Sequence, residues 1–217
     1  KNKKRDSIVL WGAEALPSSK RLTGLKVAGL CGVIGPMIML TCIFLAISYS
    51  PWFSWEENAL SDLGVDGIAA ILFNSSLIVG GLLSLIFAMG LRKILMGRTL
   101  GHIGTLILIL ASANLCAIGV FPETAGALHF YVSVAFFTWL PISLFFIGAA
   151  MMQESSEEKL GLFTVLVGVV AVTVWMVPWG GGVAIPEMLA SLPASVWSIV
   201  FGIRLYKQAS SPTKHSS

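Results

Sequence analysis

Charge is scarce in this chain. Only 12% of its 217 residues are Asp, Glu, Lys or Arg, about half the share found in soluble domains, while 56% are hydrophobic. This balance excludes a soluble catalytic domain and gives no basic surface for nucleic acid. Cysteine is nearly absent too: Cys31, Cys42 and Cys116 all lie inside apolar runs, where the thiol acts as a small buried hydrophobe, so neither a disulfide framework nor a paired metal motif is available. There are three histidines. The glycines of "VPWGGGVAIP" (177–186) lack a Walker-type lysine, and no glycine elbow surrounds Ser61. No internal repeat is evident, and no cofactor is expected.

What fills the chain instead is long apolar runs. Six stretches, at 26–48, 68–91, 100–120, 130–152, 160–178 and 183–205, each come close to or exceed the ~20 apolar residues that cross a bilayer. The connections are too short for a soluble domain, so the expected fold class is all-α: a polytopic bundle of six transmembrane helices over 26–205, with a basic cytoplasmic arm at 1–25 and a disordered cytoplasmic tail at 206–217.

The bases set the expected orientation. All 14 lysines and arginines fall in the N-terminal arm, the second and fourth connections or the C-terminal tail, which places both termini in the cytoplasm by the positive-inside rule and suits a prokaryotic plasma membrane. Glu56, Glu57, Asp62, Asp66, Glu123 and Glu187 gather at the opposite, exoplasmic face. The arm's apolar piece "SIVLWGAEAL" is short, interrupted by Glu14 and followed by no small-residue cleavage pattern, so it does not read as a cleavable signal. It can lie along the inner leaflet or serve topology alone, and both readings stay open.

Span glycines such as Gly29, Gly32, Gly35, Gly80, Gly81, Gly101 and Gly104 are expected to let helix backbones approach closely, and 177–186 to form a tight turn with positive φ at its glycines.

The acidic connection "SPWFSWEENALSDLG" (50–64) is expected to carry a short surface helix at about 54–63. Ser54 and Glu57 have capping-box spacing, and Gly64 is placed to end the helix. Asn58 and Asp62 would share a face with Trp55. Asp62 would then sit at the helix C-terminus, where the macrodipole disfavours a negative charge.

Other outer-end polar residues converge on the same level. Glu123 and His129 lie between spans three and four, and Glu187 enters span six. Asn74 and Asn114 each lie about six residues, roughly 9 Å, below the outer ends of their spans. Ionisable groups at membrane depth are costly and point to function. The candidate ligand-binding set is therefore Asn58, Asp62, Asn74, Asn114, Glu123, His129 and Glu187, lining one outward-opening cavity.

The competing reading has the asparagines pairing across helices, His129 facing water and Glu187 opening its helix. If a metal binds, its ligands would be Asp62, His129 and Glu187, a one-histidine, two-carboxylate site. A three-histidine zinc site is excluded, because His102 lies at the inner face and His215 in the tail. Ser61, Asp62 and His129 suggest a hydrolytic triad, but the sequence supplies no supporting pattern.

The runs "YSPWFSWEENALSDLG", "ILFNSSLIVGGLL" and "IGVFPETAGALHFYVSVAFF" resemble domain-of-unknown-function family 998, multi-pass membrane proteins of archaea and bacteria. The resemblance extends from about the first span through the sixth and points to Asn58, Ser61, Asp62, Gly64, Asn74 and His129 as motif positions. In layout the chain is also distantly similar to the Frag1/DRAM/Sfk1 group, some of whose relatives take part in remodelling lipid anchors or organising membrane lipids.

Together these readings lead first to a protein that handles a lipid headgroup or small polar ligand in an outward pocket, with membrane lipids as partners. The alternatives are a non-catalytic subunit or assembly factor partnering other membrane subunits or itself, and an ion or solute carrier. Whether any reaction is catalysed stays open.

Overall fold

The computed structural model describes residues 19–210. The arm at 1–18 and the tail from 211 onward lie outside the described residues. Six long helices carry the chain back and forth: α1 (Ser19–Ser48), α2 (Gly67–Leu95), α3 (Thr99–Val120), α4 (Ala127–Met152), α5 (Glu158–Thr173) and α6 (Ala184–Ser210). Short 3-10 turns occur at Leu60–Gly64, Glu123–Ala125 and Val174–Met176, and the described residues contain no strand. All six helices are long and apolar enough to cross a membrane, with α5 extended to Met176 by its 3-10 turn. The protein is a multi-pass membrane protein.

Each helix packs mainly against its neighbours in the chain, and α1 packs against α6, so the six close into a ring. The bundle therefore has two ends. The terminal end carries both outermost helix ends and the α2–α3 and α4–α5 connections. The distal end carries 49–66, 121–126 and 177–183.

Small residues make the ring tight, because close approach maximises van der Waals contact where no hydrophobic drive separates helix from lipid. A β-carbon on Gly29 would lie 2.7 Å from the Gly202 carbonyl oxygen, and one on Gly202 would lie 2.6 Å from that of Gly29, so the α1–α6 seam requires glycine on both sides. The other span glycines named above likewise meet a neighbouring helix.

Large side chains fill the interior, Trp197, Phe87 and Phe201 among them. Trp197 packs edge-on to Phe87 of α2 with centroids 5.8 Å apart, and its indole N–H donates to Thr164 Oγ1 of α5 at 3.0 Å. One buried residue thereby ties three helices and leaves no polar atom of its ring unsatisfied.

The expected helix at 54–63 does not form. Residues 54–59 are an irregular turn, followed by the 3-10 helix at 60–64. The Ser54 amide is taken by Asn58 Oδ1 at 2.9 Å instead of starting a capping box with Glu57. The backbone around it pairs with the α5–α6 loop: Gly182 N–H donates to Glu56 O at 2.8 Å, and the amides of Val183 and Ala184 both donate to Asn58 O. These long-range bonds satisfy groups that a local helix would otherwise have had to use.

The loop's glycines also divide their roles. Gly180 alone of the three takes a positive φ, +129°, while a β-carbon on Gly182 would strike the Asn58 carbonyl oxygen at 2.3 Å. The first glycine turns the chain and the third admits the partner loop.

Candidate functional site

At the distal end, the 3-10 helix Leu60–Gly64 is the pivot of the polar residues. Asp62 is its third residue, and its Oδ2 accepts from the Ala59 amide at 3.0 Å and from Asn58 Nδ2 at 2.9 Å. A carboxylate capping the start of a helical turn is favourable, so the puzzle of an acid at a helix C-terminus disappears with the longer helix. Asn74 of α2 fastens the other end of the same turn, donating from Nδ2 to Gly64 O at 2.9 Å.

Successive residues of the turn face different spaces. Asn58 and Asp62 border a groove of about 590 Å³ with Tyr49, Trp52 and Asp66. Ser61 faces a second cavity of about 390 Å³, lined also by Glu123, His129, Ser133 and Glu187 and walled by Phe137, Trp175 and Val183.

Glu187 stands in the first turn of α6, 91% buried. Its Oε2 accepts from the Leu60 amide at 2.7 Å, tying α6 to the turn after α1. His129, in the first turn of α4, is 5% exposed. Its Nδ1 lies 2.7 Å from Phe121 O, and a carbonyl can only accept, so Nδ1 bears a proton. Its Nε2 lies 3.3 Å from Ser133 Oγ and 3.0 Å from Glu123 Oε2. In the neutral ring Nε2 accepts the Ser133 hydroxyl, whereas in the imidazolium it donates to Glu123. Phe121, Glu123 and Ser133 thus fix the ring from three sides.

The seven candidate residues are therefore not brought into one cavity. Glu123, His129 and Glu187 line the second cavity, Asn58 and Asp62 the groove, and Asn74 holds the turn between them. Asn114 joins none of these, because its Nδ2 donates to Leu110 O of its own helix at 2.9 Å on a partly exposed face of α3. Asp62, His129 and Glu187 do not assemble: among the described residues no three His, Cys, Asp or Glu side chains are grouped to hold a metal ion.

Ser133 and the Leu60 amide were not singled out from sequence. Ser133 follows His129 by four residues, which on a helix puts both on one face, so that signal was present. The bond between Leu60 and Glu187 joins residues 127 apart and left no local signal.

The sequence model of the family described as "Protein of unknown function (DUF998)" matches residues 33–204. The chain belongs to the DUF998 family. The match runs from the middle of α1 through most of α6 and so contains every wall of both distal spaces of this DUF998 protein. It carries the first of the two resemblances and not the distant one to the Frag1/DRAM/Sfk1 group. No curated protein and no solved structure matches the chain.

Proposed function

We propose that this DUF998 membrane protein binds the polar head of an amphiphile, a membrane lipid or a molecule like it, in the cavity between α4, α6 and the Leu60–Gly64 turn. The observation that carries this reading is the cavity's mixed lining. Its polar lining includes Ser61, Glu123, His129, Ser133 and Glu187. Its remaining lining includes Phe130, Val134 and Trp175, which are also exposed on the outer circumference of the bundle.

Polar groups beside exposed apolar side chains suit a ligand whose head leaves the bilayer surface while its chain stays in hydrocarbon. Binding sites of this kind commonly combine apolar walls with a few convergent polar groups. The clustering of the described lysines and arginines toward the terminal end supports placing that end, with both termini, in the cytoplasm of a plasma membrane. The cavity then opens toward the outer leaflet.

The reading is tested by filling the cavity. Purified protein in neutral maltoside micelles is expected to retain a co-purified or added amphiphile in native mass spectra. The Ser133→Phe variant is expected to lose it at an unchanged thermal midpoint. Equal retention by Ser133→Phe overturns the assignment to this cavity.

A further inference from the structure

Glu187 is nine-tenths buried, lines the cavity and has only one of its oxygens engaged. Among the described residues no donor bonds the other oxygen, Oε1. Among the described residues no lysine or arginine belongs to this end of the bundle, and the one basic ring present there, His129, is already held by Phe121, Ser133 and Glu123. A carboxylate largely removed from water and left without a cation is an expensive arrangement, because buried carboxylates are ordinarily paired with a cation.

The same molecule shows the self-sufficient alternative at its other end, where buried Glu157 sits between Arg98 and Arg204. The distal cavity has carboxylates on two sides and aromatic rings on another, with Phe137 and Trp175 packed edge-on at 4.9 Å.

We infer that the head bound in this cavity is an ammonium group, received by Glu187 and Glu123 against the Trp175 wall; the inference rests on the amphiphile-binding reading. An ammonium brings three N–H donors, one for Glu187 Oε1, one for the Glu123 carboxylate and one for a hydroxyl of Ser61 or Ser133. Its charge offsets the buried carboxylate, and an adjacent indole adds a cation–π contribution. A phosphate or sulfate head would meet two carboxylates and no arginine or lysine. A sugar head would supply hydrogen bonds and leave the charge uncompensated.

The test uses the full chain in maltoside micelles with tetradecylammonium, tetradecyl sulfate and ethanolamine as probes, bound stoichiometry being read by native mass spectrometry. Tetradecylammonium is expected to bind one per chain, with affinity on the order of tenfold lower in Glu187→Gln and less reduced in Glu123→Gln, whose carboxylate is partly solvated. The glutamine keeps an acceptor for the Leu60 amide, so the fold is retained.

Equal binding of the ammonium and sulfate probes, unaffected by either substitution, overturns the charge assignment and leaves amphiphile binding standing. Ethanolamine bound as tightly as tetradecylammonium supports the ammonium and overturns the lipid source. Failure of both long-chain probes to bind overturns both.

Discussion

The two ends of the bundle each bury a glutamate, and they treat it in opposite ways. At the terminal end Glu157, with a side chain only 3% exposed, accepts from the guanidinium of Arg204 and lies 3.7 Å from that of Arg98, which also reaches Ala150 O at 3.1 Å. This one carboxylate joins the start of α3, the α4–α5 connection and α6. At the distal end Glu187 is buried almost as deeply with a single backbone amide for company. The first arrangement meets its carboxylate with two guanidinium groups of the chain itself. The second holds a buried carboxyl that no cation among the described residues meets, so the functional reading belongs at the distal end although ionic contacts are denser at the other.

The contrast is most easily broken at Glu157. Glu157→Gln removes the charge between two arginines that remain buried in part, and breaking a pair of this kind costs about 3–5 kcal/mol. The thermal midpoint in detergent should fall accordingly, and a change of a degree or two would mean that the cluster is solvated and the ends are alike.

A smaller loss is expected at Asp62→Ala, which takes away the acceptor for both Ala59 N–H and Asn58 Nδ2 and should cost about 1–3 kcal/mol. Faster proteolysis of the 50–66 connection would place that loss in the turn.

The smallest effect is expected at Glu187→Gln, within about 1 kcal/mol of the parent and of either sign, because the amide keeps the Leu60 bond and no cation partner is lost. A Glu187→Gln protein as destabilised as Glu157→Gln would erase the distinction between the two glutamates.

How far the sequence could be read follows from the same physics. Span positions were legible because hydrocarbon thickness imposes a length on every crossing, and the observed helices coincide with the six apolar runs apart from their ends; α1 starts before residue 26, and α6 runs on to Ser210. Which way a span's polar residue points was not legible. In a soluble helix the apolar stripe marks the buried face, but lipid is as apolar as the interior, so Asn74 and Asn114 looked equivalent in depth while only Asn74 reaches a neighbouring segment.

The turn at 54–64 misled for another reason. Ser54 and Glu57 have capping-box spacing, yet Asn58 captures the Ser54 amide and the 182–184 backbone captures the loop's carbonyls. Arg98, Glu157 and Arg204 meet through the ring's closure, a contact that no local pattern records.

That closure has a consequence for biogenesis. The sixth helix brings Gly202 to Gly29, Glu187 to Leu60 and Arg204 to Glu157, and the loop before it brings the Gly182 amide to Glu56. A nascent chain holding five inserted spans has therefore completed neither the α1–α6 seam nor the distal turn. Its first hairpin waits with an unmet Leu60 amide and a bare glycine groove until the sixth span arrives, so the bundle's assembly is decided by its sixth helix and not by its first five.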